Sequence, residues 1–246
     1  MSESDPWGIE INFSMLRAYL DCPWLYRLRY VDNLRTGPTP PSALGQSIHG
    51  ALETFHAANG KDLEHLLDAY EERWLHAGFS SPQEQLEWHR KGEEILRVYW
   101  ESESHNANRI VCVEREFAFT LGRHRVRGKI DRVDQRPDGA YEVIDYKTHR
   151  NFATEEETAA DLQLRIYALG AREGLALAPS WMSFYYVAEG RKVTAPYDDA
   201  GENELRERLQ RSADELAAEG ALAPNTSFCP RCAFKTRCPK AVPPSP

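Results

Sequence analysis

The stretch from Arg109 to Thr148 constrains the fold most, because it is written almost throughout in period two. "IVCVEREFAFTL", "RHRVRGKIDRVDQ" and "YEVIDYKT" alternate residue types as strands do when one face packs and the other does not. Between the last two, "RPDGA" carries the Pro, Asp and Gly of a tight reversal. Three strands in succession predict a β-meander.

The flanking segments read as helices. "FSMLRAYLDCPWLYRLRYV" predicts one or two short helices, with Ser14 as a cap and Cys22-Pro23 as a break. After the Pro-rich connector "RTGPTPPS", Ser42 is placed to cap a helix through "ALGQSIHGALETFHAANG". Leu44, Ile48, Leu52 and Phe55 keep helical spacing there and Gly60 supplies the stop. Helical stretches over 61–76 and 83–104 predict a helical insertion spanning 61–104. Beyond the acidic loop "NFATEEET" the chain predicts a helix through "AADLQLRIYALGAREG" and the strand "WMSFYYVAEG". A short strand near "RKVTA" and an amphipathic helix from 202 to 219 follow. The order α-β-β-β-α-β is that of an α/β fold, a mixed sheet flanked by helices, and 246 residues suit a single domain over 1–246.

A formal net charge of -8 speaks against coating nucleic acid by bulk electrostatics, yet leaves room for a local basic groove working with metal ions. No apolar run approaches the ~18 residues of a membrane helix, and "MSESDPWGIE" lacks the features of a signal peptide. The expectation is a cytoplasmic protein without a membrane partner.

In a strand, Asp145 and Lys147 project to the same side and Tyr146 to the other. A carboxylate can hold a hard divalent cation, and a neighbouring ammonium can orient water and offset charge on a phosphate. Asp131, on the preceding strand, is a second candidate ligand for Mg²⁺ or Mn²⁺. The alternative is a surface ion pair. Val143, Ile144 and Tyr146 argue for burial instead, and a buried carboxylate needs a partner. Arg125, Arg127, Lys129 and Asp131 share one face, either a basic row or a solvated edge. His49 is either a core histidine or a third ligand, with Glu53 one turn away to support it. Gln163 and Tyr167, four apart on the helix after the lysine strand, read by themselves as helix surface.

Cys229, Cys232 and Cys238 form C-x2-C-x5-C. Tetrahedral zinc and iron–sulfur cubanes both take four soft ligands, so one more is needed. Cys22 is the candidate; Cys112 sits in an apolar strand where a buried thiol is commonplace. The segment 225–240 would then close onto Cys22, shutting a very long loop. Arg27, Arg29, Lys235 and Arg237 beside these cysteines are candidate phosphate or base contacts.

Taken in order, "LGQSIHGALETFH", "GKIDRVD", "VIDYKT" and "QLRIY" resemble the RecB-like branch of the PD-(D/E)xK nuclease superfamily, over about residues 12 to 240. The resemblance implies that His49, Asp131 and Asp145 bind Mg²⁺ or Mn²⁺ together with the backbone carbonyl of Tyr146. It implies that Lys147 is the catalytic lysine, and that Gln163 and Tyr167 order the site and the DNA. One cysteine before the core and three after it resemble the iron-staple nucleases, namely the AddB nuclease domain and the CRISPR-associated RecB-like exonucleases. In these, four thiolates, here Cys22, Cys229, Cys232 and Cys238, hold a [4Fe-4S] cluster. The implied activity is a metal-dependent DNA exonuclease acting on single strands or DNA ends, in repair or CRISPR adaptation, with a helicase or a CRISPR-adaptation protein as partner. The chain has no G-x-x-x-x-G-K-[ST] helicase motif of its own. The competing classes are a non-catalytic DNA-binding scaffold and a redox-sensing iron–sulfur protein.

Overall fold

The computed structural model describes residues 8–198, 200–218 and 222–242. The chain divides into two compact units, one from residues 38–117 and 129–199, the other from 1–37, 118–128 and 200–246. The elements are β1 (Glu10–Ile11), α1 (Phe13–Asp21), α2 (Pro23–Tyr26), α3 (Pro40–Ala57), α4 (Leu63–Arg73), α5 (Pro82–Glu103), β2 (Arg109–Leu121), β3 (His124–Gln135) and β4 (Tyr141–Lys147). They continue as α6 (Glu155–Ala160), α7 (Leu162–Leu175), β5 (Pro179–Tyr186), β6 (Arg191–Pro196) and α8 (Glu202–Ala217). Hydrogen bonding orders the strands β1-β3-β4-β5-β6, with β2 on β3. The α/β class expected from the sequence, a mixed sheet flanked by helices, is the one observed.

In the larger unit the β3–β4 hairpin turns through Gly139, whose φ of 88° is open to glycine at little cost. β3 pairs antiparallel with β4, β4 parallel with β5, and β5 antiparallel with β6. Asp131 lies inside β3, which runs on to Gln135. α3 begins earlier than expected. Thr39 caps it through the Ser42 amide in a reciprocal capping box, and Pro40 and Pro41 fill the first turn, where a missing N–H costs no hydrogen bond. Leu44, Ile48 and Leu52 of α3 join Leu66 and Tyr70 of α4, Leu96 and Tyr99 of α5, and Ile144 and Tyr146 of β4 in one core cluster. Burying an aliphatic side chain of this size stabilises the fold by ~2 kcal/mol. Each such position on α3 therefore helps seat His49.

The face of β3 opposite Asp131 carries Arg132, which is 0% exposed. Its guanidinium grips Asp134 at 2.6 and 2.8 Å and reaches Glu103 at 2.8 Å and the Tyr99 hydroxyl at 3.0 Å, tying α5 to the sheet. A fully paired buried charge holds a geometry; truncating it to alanine would strand Asp134 at a cost of about 3–5 kcal/mol. Gly170 lets α7 approach Phe117 of β2, since an added Cβ would fall 2.4 Å from the ring.

In the smaller unit β1 runs parallel to the start of β3, pairing Glu10 with Arg125 and Ile11 with Val126. The Glu10 carboxylate takes Arg127 at 2.7 Å and approaches Arg125 to 3.9 Å, so these two members of the basic row are ion-paired at an exposed edge. Asn12, not Ser14, caps α1, its side chain accepting from the Met15 amide at 2.9 Å. Ala18, Cys22, Leu25, Leu28 and Phe234 form a small core cluster.

Candidate functional site

The candidate site lies in the larger unit, where α3, β2, β3, β4 and α7 each contribute side chains. Helix α3 comes close to the end of β4, where a Cβ at Gly45 would meet Thr148 Oγ1 at 3.5 Å, an ordinary van der Waals contact. One turn on, His49 Nδ1 sits 3.5 Å from Asp131 Oδ2 and 3.5 Å from Glu114 Oε1. The ligand atoms of His49, Glu114 and Asp131 all lie within 4.8 Å of one another, as a shared cation would require. A second set with that spacing, Glu71, His89 and Glu93, includes the exposed Glu71, and so has less need of a counter-charge.

Asp131 and Asp145 are 8% and 2% exposed. The Tyr146 amide donates to Asp131 Oδ2 at 2.8 Å, while the Tyr146 ring packs edge-on to His49 at 5.8 Å. Asp145 Oδ2 lies 2.5 Å from Lys147 Nζ, as strand alternation predicts. Lys147 in turn donates to Gln163 Oε1 at 3.3 Å, and Gln163 Nε2 to the Tyr167 hydroxyl at 3.0 Å. A single relay thus runs from the carboxylate on β4 to the tyrosine on α7. Asp161 caps α7 through the Leu164 amide, which sets where Gln163 begins its turn.

Ionisation reflects this crowding. Burial opposes the charge on His49, but Glu114, Asp131 and Asp145 outweigh it and hold the imidazole up at about 9. Burial, then the Asp145 charge, pushes Asp131 up to about 7. Burial also works against the Glu114 carboxylate, yet His49 and Lys129 prevail and keep it below its ordinary value. Asp145 Oδ2 and Glu114 Oε1 are both buried, the first against Lys147 Nζ at 2.5 Å and the second 3.5 Å from His49 Nδ1. Three carboxylates crowded beside one imidazole, with few cations to offset them, are a donor set that fits a hard divalent cation.

Glu114 was not singled out in the sequence. Strict alternation in "VCVEREF" sets it among the even-numbered positions opposite Val113 and Phe117, where a glutamate reads as solvent-facing. The backbone departs from that pattern: Glu114 has φ 44°, a left-handed conformation unusual for a non-glycine residue, and its side chain is 5% exposed. Lys129 Nζ joins it at 2.5 Å. Strain of this kind is found where a side chain is being aimed. Glu53, expected beside His49, faces Arg73 at 3.8 Å instead.

The smaller unit gathers the four singled-out cysteines around one cavity, which Trp24 and Phe228 also line. Cys22 joins α1 to α2 and is buried; Cys229 lies within a short 3₁₀ turn, Thr226–Arg231, and Cys232 caps its end. The Asn225 amide donates to Cys22 Sγ at 3.2 Å and the Phe234 amide to Cys232 Sγ at 3.4 Å. Burial raises the Cys232 thiol, with the other three cysteines adding to the shift. Cys112 stays apart on β2, and all five cysteines are free thiols. Arg29 and Arg237 lie over the Phe234 ring at 5.8 and 5.5 Å, and Arg27 over Trp24 at 4.9 Å.

Comparison with known proteins adds the following. The sequence model of the PD-(D/E)XK nuclease superfamily matches residues 10–239. Among solved structures the chain is similar to a "Putative exonuclease" from Eubacterium rectale, with a TM-score of 0.56 and 10% identity, over 99% of this chain and 91% of that one. At that identity the likeness is one of fold. SSO0001 aligns over 94% of this chain and 96% of its own, at 16% identity and a TM-score of 0.37. No curated protein matches the sequence. Among the described residues, no helix is long and apolar enough to cross a membrane.

Proposed function

The chain belongs to the PD-(D/E)XK nuclease superfamily, and from that premise we propose that it is a divalent-metal-dependent deoxyribonuclease, an exonuclease acting on single strands or DNA ends. The observation that carries the reading is the buried convergence of His49, Glu114 and Asp131 beside an Asp145–Lys147 pair. These four acidic and imidazole groups, with the Tyr146 carbonyl, would hold Mg²⁺ or Mn²⁺. When bound, the ion polarises the scissile phosphate and acidifies a coordinated water. Lys147 supplies a fixed positive charge toward the reacting phosphate, and its ammonium is restrained from two sides by Asp145 and Gln163. Tyr167 holds the Gln163 amide in the orientation that presents its oxygen to the lysine. On binding an ion, His49 would give up the proton its carboxylate neighbours favour and Asp131 the one that burial and Asp145 favour, so occupancy of the site would release protons.

A RecB-like assignment with an iron–sulfur staple at Cys22, Cys229, Cys232 and Cys238 is part of the same proposal. Backbone amides aimed at two of the sulfurs support a thiolate role. DNA repair and CRISPR adaptation, with a helicase or an adaptation protein as partner, remain the settings this assignment implies.

The test uses anaerobically purified protein with end-labelled single- and double-stranded DNA and Mn²⁺ or Mg²⁺. Metal-dependent shortening from a labelled end is expected; DNA left intact with every ion would overturn the catalytic reading. Iron and acid-labile sulfide near four atoms of each per chain are expected, and stoichiometric zinc without sulfide would overturn the cluster.

A further inference from the structure

Strands β4 and β5 end together at Lys147 and Tyr186, which are register partners, and β6 begins at Arg191, the partner of Tyr186. Partners across strands carry their side chains on one face. The candidate lysine, a tyrosine and an arginine therefore form a row, its ends two strand spacings or about 10 Å apart.

The loop after Lys147 folds back onto that row. The Phe152 ring meets the Tyr186 ring at 4.7 Å, the His149 ring lies 5.8 Å from Tyr186, and the Arg191 guanidinium sits over Phe152 at 4.9 Å. The Ala153 amide donates to the Tyr186 hydroxyl at 2.8 Å, which fixes the loop just beyond the phenylalanine. Tyr186 is 1% exposed, whereas Phe152 is 40% exposed. A buried tyrosine thus props up a partly exposed ring that the Arg191 guanidinium adjoins. Lys91, Glu94, His149 and Arg150 line a cavity of about 690 Å³ that also includes Thr148, next to the candidate lysine.

We infer that Phe152, backed by Tyr186 and flanked by Arg191, is a stacking platform for an unpaired base of the strand whose phosphate reaches Lys147, so that the site takes single-stranded nucleic acid in preference to duplex. The inference rests on the nuclease reading and deepens it. Any base offers a π-face, so an exposed ring beside guanidinium groups binds single strands with little regard to sequence. A duplex keeps its base faces stacked inside and offers none to Phe152.

The test measures equilibrium binding of a 2-aminopurine oligonucleotide, single-stranded and as a hairpin duplex, in EDTA so that cleavage does not intervene. Wild type, Phe152→Ala and Phe152→Trp are compared, with thermal unfolding as the check on folding. Wild type is expected to quench the single-stranded probe. Phe152→Ala should weaken that binding by roughly 5- to 150-fold and lose the quench, given ~1–3 kcal/mol per stacked base. Phe152→Trp should keep both, and duplex affinity should stay within about twofold across the three. A folded Phe152→Ala that binds single strands like wild type overturns the platform, as does an equal loss toward duplex. Failure of the nuclease reading shows separately: wild type would bind and quench, yet leave the DNA intact when Mn²⁺ is added.

Discussion

The two units each gather a set of metal-ligating side chains, and they hold them by different means. In the larger unit the ligands stand on long helices and paired strands, and every charge has an internal counterpart: Lys147 for Asp145, Lys129 for Glu114, His49 for Asp131. In the smaller unit the four thiols stand on a helix junction, a 3₁₀ turn and the irregular chain after it, around a core cluster of five buried residues. The first site is held by regular structure whether or not an ion is bound. On the reading proposed above, the second would draw part of its stability from what the sulfurs bind. A scaffold of regular structure can store unfavourable electrostatics for chemistry, whereas a short irregular segment needs a ligand as part of its fold.

The largest expected effect tests the second half of that contrast. Replacing Cys232 with serine should abolish iron incorporation and strip the smaller unit of a contribution on the order of 10 kcal/mol, read as a large fall in unfolding temperature and early proteolysis within 222–242. An unchanged transition would show that this unit, too, is self-supporting.

Next comes Asp131→Asn, where the sign is set by linkage. Asp131 has its folded pKa raised to about 7 against the 3.8 of an ordinary aspartate, so the folded state binds more protons between those values. Stability from this group is therefore fully present below about 3.8 and is lost as pH rises through about 7. Asparagine resembles the protonated form. The variant should be more stable than wild type by about 1–3 kcal/mol at pH 8 without divalent ions, and should bind Mn²⁺ far more weakly. Destabilisation at pH 8 would mark Asp131 as a structural residue.

Glu114→Gln should have a smaller effect, near tenfold in Mn²⁺ affinity by calorimetry with little change in unfolding temperature, because the amide keeps the shape while losing the charge. A wild-type affinity would remove Glu114 from the ligand set.

Much of this was legible in the sequence because it depends on local rules. Period two on either side of "RPDGA" specified the β3–β4 hairpin, and alternation then brought Asp145 and Lys147 to one side. Helical spacing carried Gln163 to Tyr167, now a 3.0 Å hydrogen bond. What escaped depends on departures from those rules or on distant partners. Glu114 turns inward through a left-handed backbone that no pattern announces. β1 spans only two residues and forms against a strand more than a hundred residues away. The caps moved because Asn12 and Thr39 sit beside equally good candidates, Ser14 and Ser42, and only the folded helix ends choose between them.

The most direct test of the central claim, that the buried acidic set of the larger unit is the metal centre that cleaves DNA, measures Mn²⁺ binding and cleavage of end-labelled single-stranded DNA side by side in wild type, Asp145→Ala and Lys147→Ala. The account predicts that Asp145→Ala loses both, and that Lys147→Ala still binds Mn²⁺ but cleaves on the order of 10³-fold more slowly. Cleavage that survives in Asp145→Ala would contradict it.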